Sequence, residues 1–205
     1  LDHAAAVYTR AAGAPRLDLE RRAAELAREE HFRPGLPTWL GGKPLTSPSA
    51  NLAVFFQTVG RPDLALREVD HLWPHVPSEA LAVLGGTAAM HTGQLGERLP
   101  WLEETRRQYP DADAIKKLLF FGLAYRTDAL LNQRALAEAE RTLERMRALE
   151  PEACGPFTAL AKAALLGGDA TRARSMLAEA ARRDADGACR QQAAADPLLA
   201  PLARP

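Results

Sequence analysis

His71 and His75 stand four residues apart on either side of Trp73-Pro74. Two imidazoles one helical turn apart have a metal-ligand spacing. Here Pro74 ends any helix between them and no cysteine is near in sequence, so they read as helix-end histidines; His3, His31 and His91 are scattered. The two cysteines, Cys154 and Cys189, form no CxxC pair. They read as two ordinary, partly buried thiols, with a bridge between them as the alternative if the protein is exported. "GGKP" at 41–44 contains a Gly-Lys pair, but Pro37 occupies the place of a phosphate loop's first glycine and Pro44 that of its hydroxyl residue. Asp111-Ala-Asp113 suits a helix N-cap better than a pair of catalytic carboxylates, and Asp18, Glu20, Glu25, Glu29 and Glu30 read as solvated helix faces. GxSxG, HExxH and Cys-His-Asn spacings are missing. No constellation supplies a nucleophile, a base and oxyanion donors together. The expectation is a protein that is not an enzyme and has no cofactor and no metal.

What remains to do work is surface, so the question becomes which elements shape it. The chain has 205 residues, 47% hydrophobic and 25% charged, with a formal net charge of zero. Acidic and basic residues are interleaved, as in "LEETRR" and "AEAERTLERMR", so no long-range field draws in nucleic acid or an anionic membrane. No run of about 18 apolar residues offers a membrane span. The sequence starts at Leu1 without a signal-like segment, and is expected to be a processed protein or an excised fragment. Unpaired cysteines point to the cytoplasm, or to the periplasm if a leader preceded Leu1.

Ala, Leu, Arg and Glu dominate and alternating Val/Ile/Thr runs are missing, so the chain reads as all-helical. Helices are expected near 2–12, 17–32, 48–59, 62–73, 79–91, 96–108, 112–131, 134–149, 155–166, 170–183, 187–194 and 197–203. The links "GRP", "TGQL", "NQR" and "GGD" are so short that neighbouring helices must pack antiparallel. Gly60, Gly93 and Gly168 fall where a helix ends and a left-handed residue is wanted; Asp169 is placed to cap the helix after the last of them.

Aligning the chain on these hinges exposes a repeat. Ala65, Ala139 and Ala173 follow their hinge at +5. Val69, Leu102, Leu143 and Leu177 follow at +9, and Pro77, Pro110 and Pro151 at +17. Ala53, Gly86 and Ala161 precede theirs by seven, and Ala180 adds a further small residue. Successive hinges are 33, 41 and 34 residues apart. This pattern resembles the tetratricopeptide repeat (TPR), a helix-turn-helix unit of 34 residues. The resemblance implies an all-α, right-handed superhelical solenoid of antiparallel helix pairs. Residues 1–33 would be an N-terminal hairpin, 34–47 a Pro/Gly-rich loop anchored by Trp39, 48–185 about four repeats, and 186–205 a capping helix and tail with Leu198, Leu199 and Leu202 packing back. Four departures stand out. Arg98 replaces an interhelical alanine, which would splay the second pair. Arg134 replaces a hinge glycine, residues 112–119 lengthen one helix, and Ala185 replaces a closing proline. Pro100 would cost about 3 kcal/mol in a helix interior but is harmless within the first turn.

In the TPR family the first helix of each repeat lines a concave groove that grips a peptide or a partner helix. By register the groove positions are Asn51, Gln57, Thr87, His91, Tyr125, Asp128 and Lys162. The clamp that family members use for a chaperone's C-terminal carboxylate is not formed, since its places hold Ala50, Val54, Gly155 and Ala159. The resemblance therefore implies a protein-interaction scaffold with a protein or peptide partner, and a homo-oligomer through the end repeats as a further expectation. A ligand-sensing regulatory module is the alternative. Two substitutions test the register: Leu177→Ala is expected to cost about 2–5 kcal/mol as a core change, and Lys162→Glu to spare stability while changing partner binding.

Overall fold

The computed structural model describes residues 48–75 and 77–203, with side chains from Ala53 to Leu202. The expected hairpin at 1–33, the loop at 34–47 with Trp39, and the side chain of Asn51 lie outside the described residues. Within them the chain is all-helical: α1 (Pro48–Thr58), α2 (Pro62–Leu72), α3 (Glu79–His91), α4 (Leu99–Gln108), α5 (Asp113–Asn132), α6 (Leu136–Leu149), α7 (Gly155–Leu166), α8 (Ala170–Arg183), α9 (Ala188–Ala195) and α10 (Ala200–Ala203).

The four hinges share one backbone solution. The hinge residue is left-handed in each: Gly60 (φ 75°), Gly93 (φ 74°), Arg134 (φ 57°) and Gly168 (φ 85°). Each hinge N–H bonds the carbonyl three residues back, and the next N–H bonds the carbonyl five back, as in Gly168 to Leu165 (3.0 Å) and Asp169 to Ala164 (2.8 Å). This is the Schellman closure, which satisfies carbonyls that the helix end leaves orphaned. Asp169 then caps α8 by accepting from the Arg172 N–H at 2.8 Å. Arg134 adopts the same φ with a Cβ in place, which costs about 1 kcal/mol relative to glycine. Arg134→Gly is therefore expected to raise stability by about 0.5–1 kcal/mol, measurable as a small upward shift of the urea midpoint.

The chain divides into two compact units. The first comprises the residues through Gln94 with Leu102–Ile115; the second comprises Leu95–Trp101 and Lys116 onward. In the first, α2 packs on α1 and on α3, and α1 also touches α3. Ala53, Ala65, Val69, Ala88 and Ala89 are fully enclosed there. In the second, Leu130 and Leu131 of α5, Ala139 of α6 and Ala163 of α7 form one cluster. Ala161, Ala164, Ala173, Ala193 and Leu199 form another, joining α7, α8, α9 and the start of α10. Phe157 at the start of α7 is buried under two guanidinium groups, with Arg147 of α6 at 4.8 Å and Arg183 of α8 at 4.2 Å from its ring centre. Every small residue assigned by register to an interhelical contact is buried, Gly86 included.

Several expectations need correction. Arg98 is not between helices: it lies in the turn before α4, and Leu95, Leu99, Leu102 and Thr105 are the buried residues of this stretch. Because α4 starts at Leu99, Pro100 is its second residue and displaces no helical hydrogen bond. Leu177 is only half-buried, against the Ala161 cluster, whereas Val69, Leu102 and Leu143 at the same register position are fully buried. Of the capping leucines, Leu199 is buried and Leu202 packs on the same cluster, but Leu198 is exposed. The cysteines are not free thiols: Cys154, which precedes α7, and Cys189 of α9 are joined by a disulfide with a Cα–Cα distance of 6.2 Å.

Candidate functional site

The surface residues picked by register separate into two groups, one per unit. In the first unit, Gln57 near the end of α1 and His91 at the end of α3 meet at 2.8 Å between Nε2 and Nδ1. They are 34 residues apart, so equivalent helix ends of two successive hairpins are tied together. Thr87 turns its hydroxyl inward, donating to the Val83 carbonyl at 2.8 Å. His71 and His75, the pair with metal-like spacing, pack ring against ring at 6.2 Å.

In the second unit, α5 has two distinct faces. Leu123, Thr127, Leu130 and Leu131 are buried; the Thr127 hydroxyl donates to the Leu123 carbonyl at 2.9 Å and lies 3.9 Å from the Met146 sulfur of α6. On the other side Phe121, Tyr125 and Asp128 follow at i, i+4 and i+7, which places them along one stripe. Phe121 is 48% exposed and Tyr125 46%, although both are large and aromatic. The turn at Gly96 rests on α5 beside them: a Cβ there would lie 3.3 Å from the Arg126 nitrogen and 3.4 Å from the Tyr125 Cβ. Glycine thus lets the turn approach the α5 backbone while the Tyr125 ring stays open. Register reasoning picked Tyr125 and Asp128 and missed Phe121, whose signal was a phenylalanine one turn before a tyrosine on the polar side of the helix.

Lys162 of α7 is engaged. Its ammonium donates to the Asp196 carboxylate at 2.8 Å, across 34 residues, tying α7 to the turn that precedes α10. Asp196 Oδ1 accepts in turn from the Leu198 N–H at 2.8 Å. Burial pushes the Asp196 carboxyl up, but the Lys162 bond and the Leu198 and Leu199 amides outweigh it, so its pKa lies below the usual value. Asp128 differs: partial desolvation of its carboxyl raises its pKa even though Lys162 pulls it down. Lys162→Glu would place a carboxylate against Asp196, so the expectation that it spares stability gives way to one of a loosened C-terminal cap.

Among the described residues, the close grouping of potential metal ligands is Cys154, Asp184 and Cys189. Two of its members are spent in the disulfide, so their sulfurs offer no thiolate. Asp184 works otherwise. Its side chain is enclosed and accepts from the Cys189 N–H (3.0 Å), the Arg190 N–H (2.9 Å) and Arg190 Nε (3.1 Å), which anchors the start of α9. Burial raises the Asp184 carboxyl, and the Arg190 and Cys189 bonds bring it below its ordinary value overall. Both Asp184 and Asp196 therefore have folded pKa values below their unfolded ones. Their contribution to stability is complete above the unfolded pKa, near 4, and is lost as pH falls through the folded values. Protection of the amides in α9 and the 196–199 turn, measured against the intrinsic exchange rate at each pH, is expected to fall below about pH 4 before that of α6 and α7 does. Equal loss of protection throughout the second unit would refute this order.

No family model matches the chain, and no curated protein matches it. Among solved structures, the chain is similar to a MamA RS-1 ArsTM double mutant, with 18% identity, a TM-score of 0.49, and coverage of 89% of this chain and 93% of that one. It is similar also to residues 41 to the end of MamA from Desulfovibrio magneticus RS-1, with 17% identity, a TM-score of 0.49, and coverage of 90% and 96%. Among its described residues the chain is an all-α protein built of successive helical hairpins.

Proposed function

We propose that the chain is a non-catalytic protein-interaction scaffold of the TPR type, and that the open face of α5 is its main contact surface. The observation that carries this is the Phe121–Tyr125 pair, two aromatic side chains one turn apart and half open to solvent. Aromatic anchors dominate binding energy at protein interfaces because they bury large area at small entropic cost. Asp128 on the same stripe supplies a polar neighbour, and Gln57, Thr87 and His91 are proposed as lesser contacts of the first unit. Lys162, held by Asp196, is proposed to shape the surface rather than to grip a ligand's charge. The buried small residues at TPR register and the repeated hinge closure support the family assignment. The α5 face is therefore the decisive test.

Pull-down from the native lysate, comparing wild type with Phe121→Ala/Tyr125→Ala, reads this out. A protein retained by wild type and lost by the double variant, at unchanged melting temperature, is the expected result. If both chains retain the same proteins equally, the α5 face is not the contact surface. Sedimentation of the two chains distinguishes a foreign partner from self-association. The disulfide also supports an oxidising compartment for the protein, in place of the cytoplasm. Maleimide trapping at cell lysis is expected to find both cysteines blocked.

A further inference from the structure

Cys154, Asp184 and Cys189 converge within the second unit, and one sulfur or carboxylate oxygen from each lies within 4.8 Å of the others. Cys154 precedes α7, Asp184 follows α8 and Cys189 stands at the start of α9, so three elements hold the cluster. The Asp184 side chain is fully enclosed. Its Oδ2 accepts from the Arg190 N–H and Nε, and its Oδ1 from the Cys189 N–H. Oδ1 also faces the Cys154 sulfur at 3.9 Å. In the bridged form that sulfur carries no proton, so the approach is no hydrogen bond. A buried carboxylate oxygen is thus turned on sulfur with an acceptor site to spare, which a purely structural bridge does not need.

Once the bridge is reduced, the same three groups form a metal-ligand set. Two thiolates and one carboxylate suit zinc, whereas hard cations prefer shells made of oxygen alone. Zinc takes cysteine sulfur at about 2.3 Å and carboxylate oxygen at about 2.0–2.2 Å, which sets tetrahedral ligand atoms about 3.5–3.8 Å apart. The Cys154–Asp184 approach of 3.9 Å is already near that separation. With the α carbons 6.2 Å apart, the freed sulfurs reach it by turning about their Cα–Cβ bonds. The charges also close: three anionic ligands balance the two charges of the ion and the Arg190 guanidinium. Arg190 and the two backbone amides fix the Asp184 carboxylate from outside, as hydrogen bonds around a ligating carboxylate do. Thr158 and Cys189 line a groove of about 580 Å³ bordered by α8 and α9, which gives the ion and a water an entry path.

We propose that the Cys154–Cys189 bridge is the oxidised form of a zinc site: the reduced chain holds one Zn²⁺ through Cys154 Sγ, Cys189 Sγ and Asp184 Oδ1, with water as the fourth ligand. A dithiol reductant supplies the two electrons. It becomes a disulfide, the S–S bond of the chain opens, and its two protons pass to Cys154 and Cys189. Zinc then displaces those two protons. In the other direction, hydrogen peroxide and two protons take two electrons from the thiolates and leave as two waters, while the S–S bond forms again and Zn²⁺ departs. Either state ties the start of α9 to the start of α7, so the C-terminal cap stays docked while its metal content follows the redox conditions.

The test is titration of the full chain with Co²⁺, a coloured stand-in for zinc, after reduction by a phosphine that is then removed without oxygen. The reduced chain is expected to take one equivalent and to show the near-ultraviolet thiolate-to-cobalt band together with the visible bands of a tetrahedral site. Added Zn²⁺ erases both, and the oxidised chain shows neither. Cys154→Ser and Cys189→Ser are each expected to weaken binding by about a hundredfold or more, and Asp184→Asn by about tenfold to a hundredfold. Zn²⁺ is also expected to restore, in the reduced wild type, the amide protection of α9 that reduction lowers, and to restore none in Cys154→Ser/Cys189→Ser. That second readout separates loss of ligands from loss of fold. Phe121→Ala/Tyr125→Ala is expected to bind as wild type, so failure here and failure of the α5 proposal are read separately. A reduced chain without the charge-transfer band overturns the proposal. So does wild-type affinity in the cysteine variants or in Asp184→Asn, or one metal per two chains. Loss of the site in His71→Ala/His75→Ala also overturns it, in favour of the histidine pair.

Discussion

Reducing the Cys154–Cys189 bridge, or replacing both cysteines by serine, lowers the stability of the second unit by up to about 4 kcal/mol. The figure follows from the chain-entropy cost of closing a loop with a sequence separation of 35. It is an upper value, because α9 keeps other anchors once the bridge is gone. Asp184 still accepts from the Cys189 and Arg190 N–H groups. Ala193 and Leu199 still sit among Ala161, Ala164 and Ala173. The loss is therefore expected to be graded along the chain, with α9 and α10 detaching at lower urea than α5 to α7. Repeat arrays unfold in this piecewise manner because each unit touches only its neighbours. Urea titrations of the oxidised and reduced forms, read by amide exchange at α9 and at α6, measure it. Coincident midpoints in the two forms would show that the bridge adds nothing to the folded chain.

The architecture was legible because its determinants are local. A hinge needs one left-handed residue, and glycine at 60, 93 and 168 announces it; even Arg134 was found, by its distance from its neighbours, and it adopts φ 57°. Small residues at fixed offsets from those hinges are all buried, since a helix pair can approach closely only where no large side chain intervenes. The disulfide was not legible in the same way. Its partners are far apart in sequence, and only the docking of α9 beside the start of α7 brings them within reach. The same holds for Lys162. Register placed it correctly on a first helix, but the carboxylate that captures it belongs to the C-terminal turn, 34 residues on. Phe121 escaped because a phenylalanine in a helix is read as core by default. Only the turn of α5 shows that Leu118, Leu119 and Leu123 take the buried side and leave Phe121 outside.

Leu143→Ala and Leu177→Ala, equivalent by register, are expected to differ. Leu143 of α6 is fully buried, and alanine there leaves a cavity that the rigid helix pair cannot collapse around. Its cost is about 2–5 kcal/mol, within the range measured for buried leucines. Leu177 borders the open groove on α8, so water already reaches part of it and enters readily when it is shortened. The transfer loss is then partial and the cavity term is nearly absent, which reduces the cost to about 1–2 kcal/mol. Urea midpoints of the two variants at constant m-value decide the matter. Similar large losses at both sites would mean that Leu177 is enclosed in solution and that the groove beside it is filled. A small loss at Leu143 would undermine the register itself, and with it the assignment of the α5 face. The comparison thus reads two claims at once. Leu143 reports on the interior packing of a hairpin, and Leu177 on how far the α8 surface beside Arg174 and Leu202 is open to water.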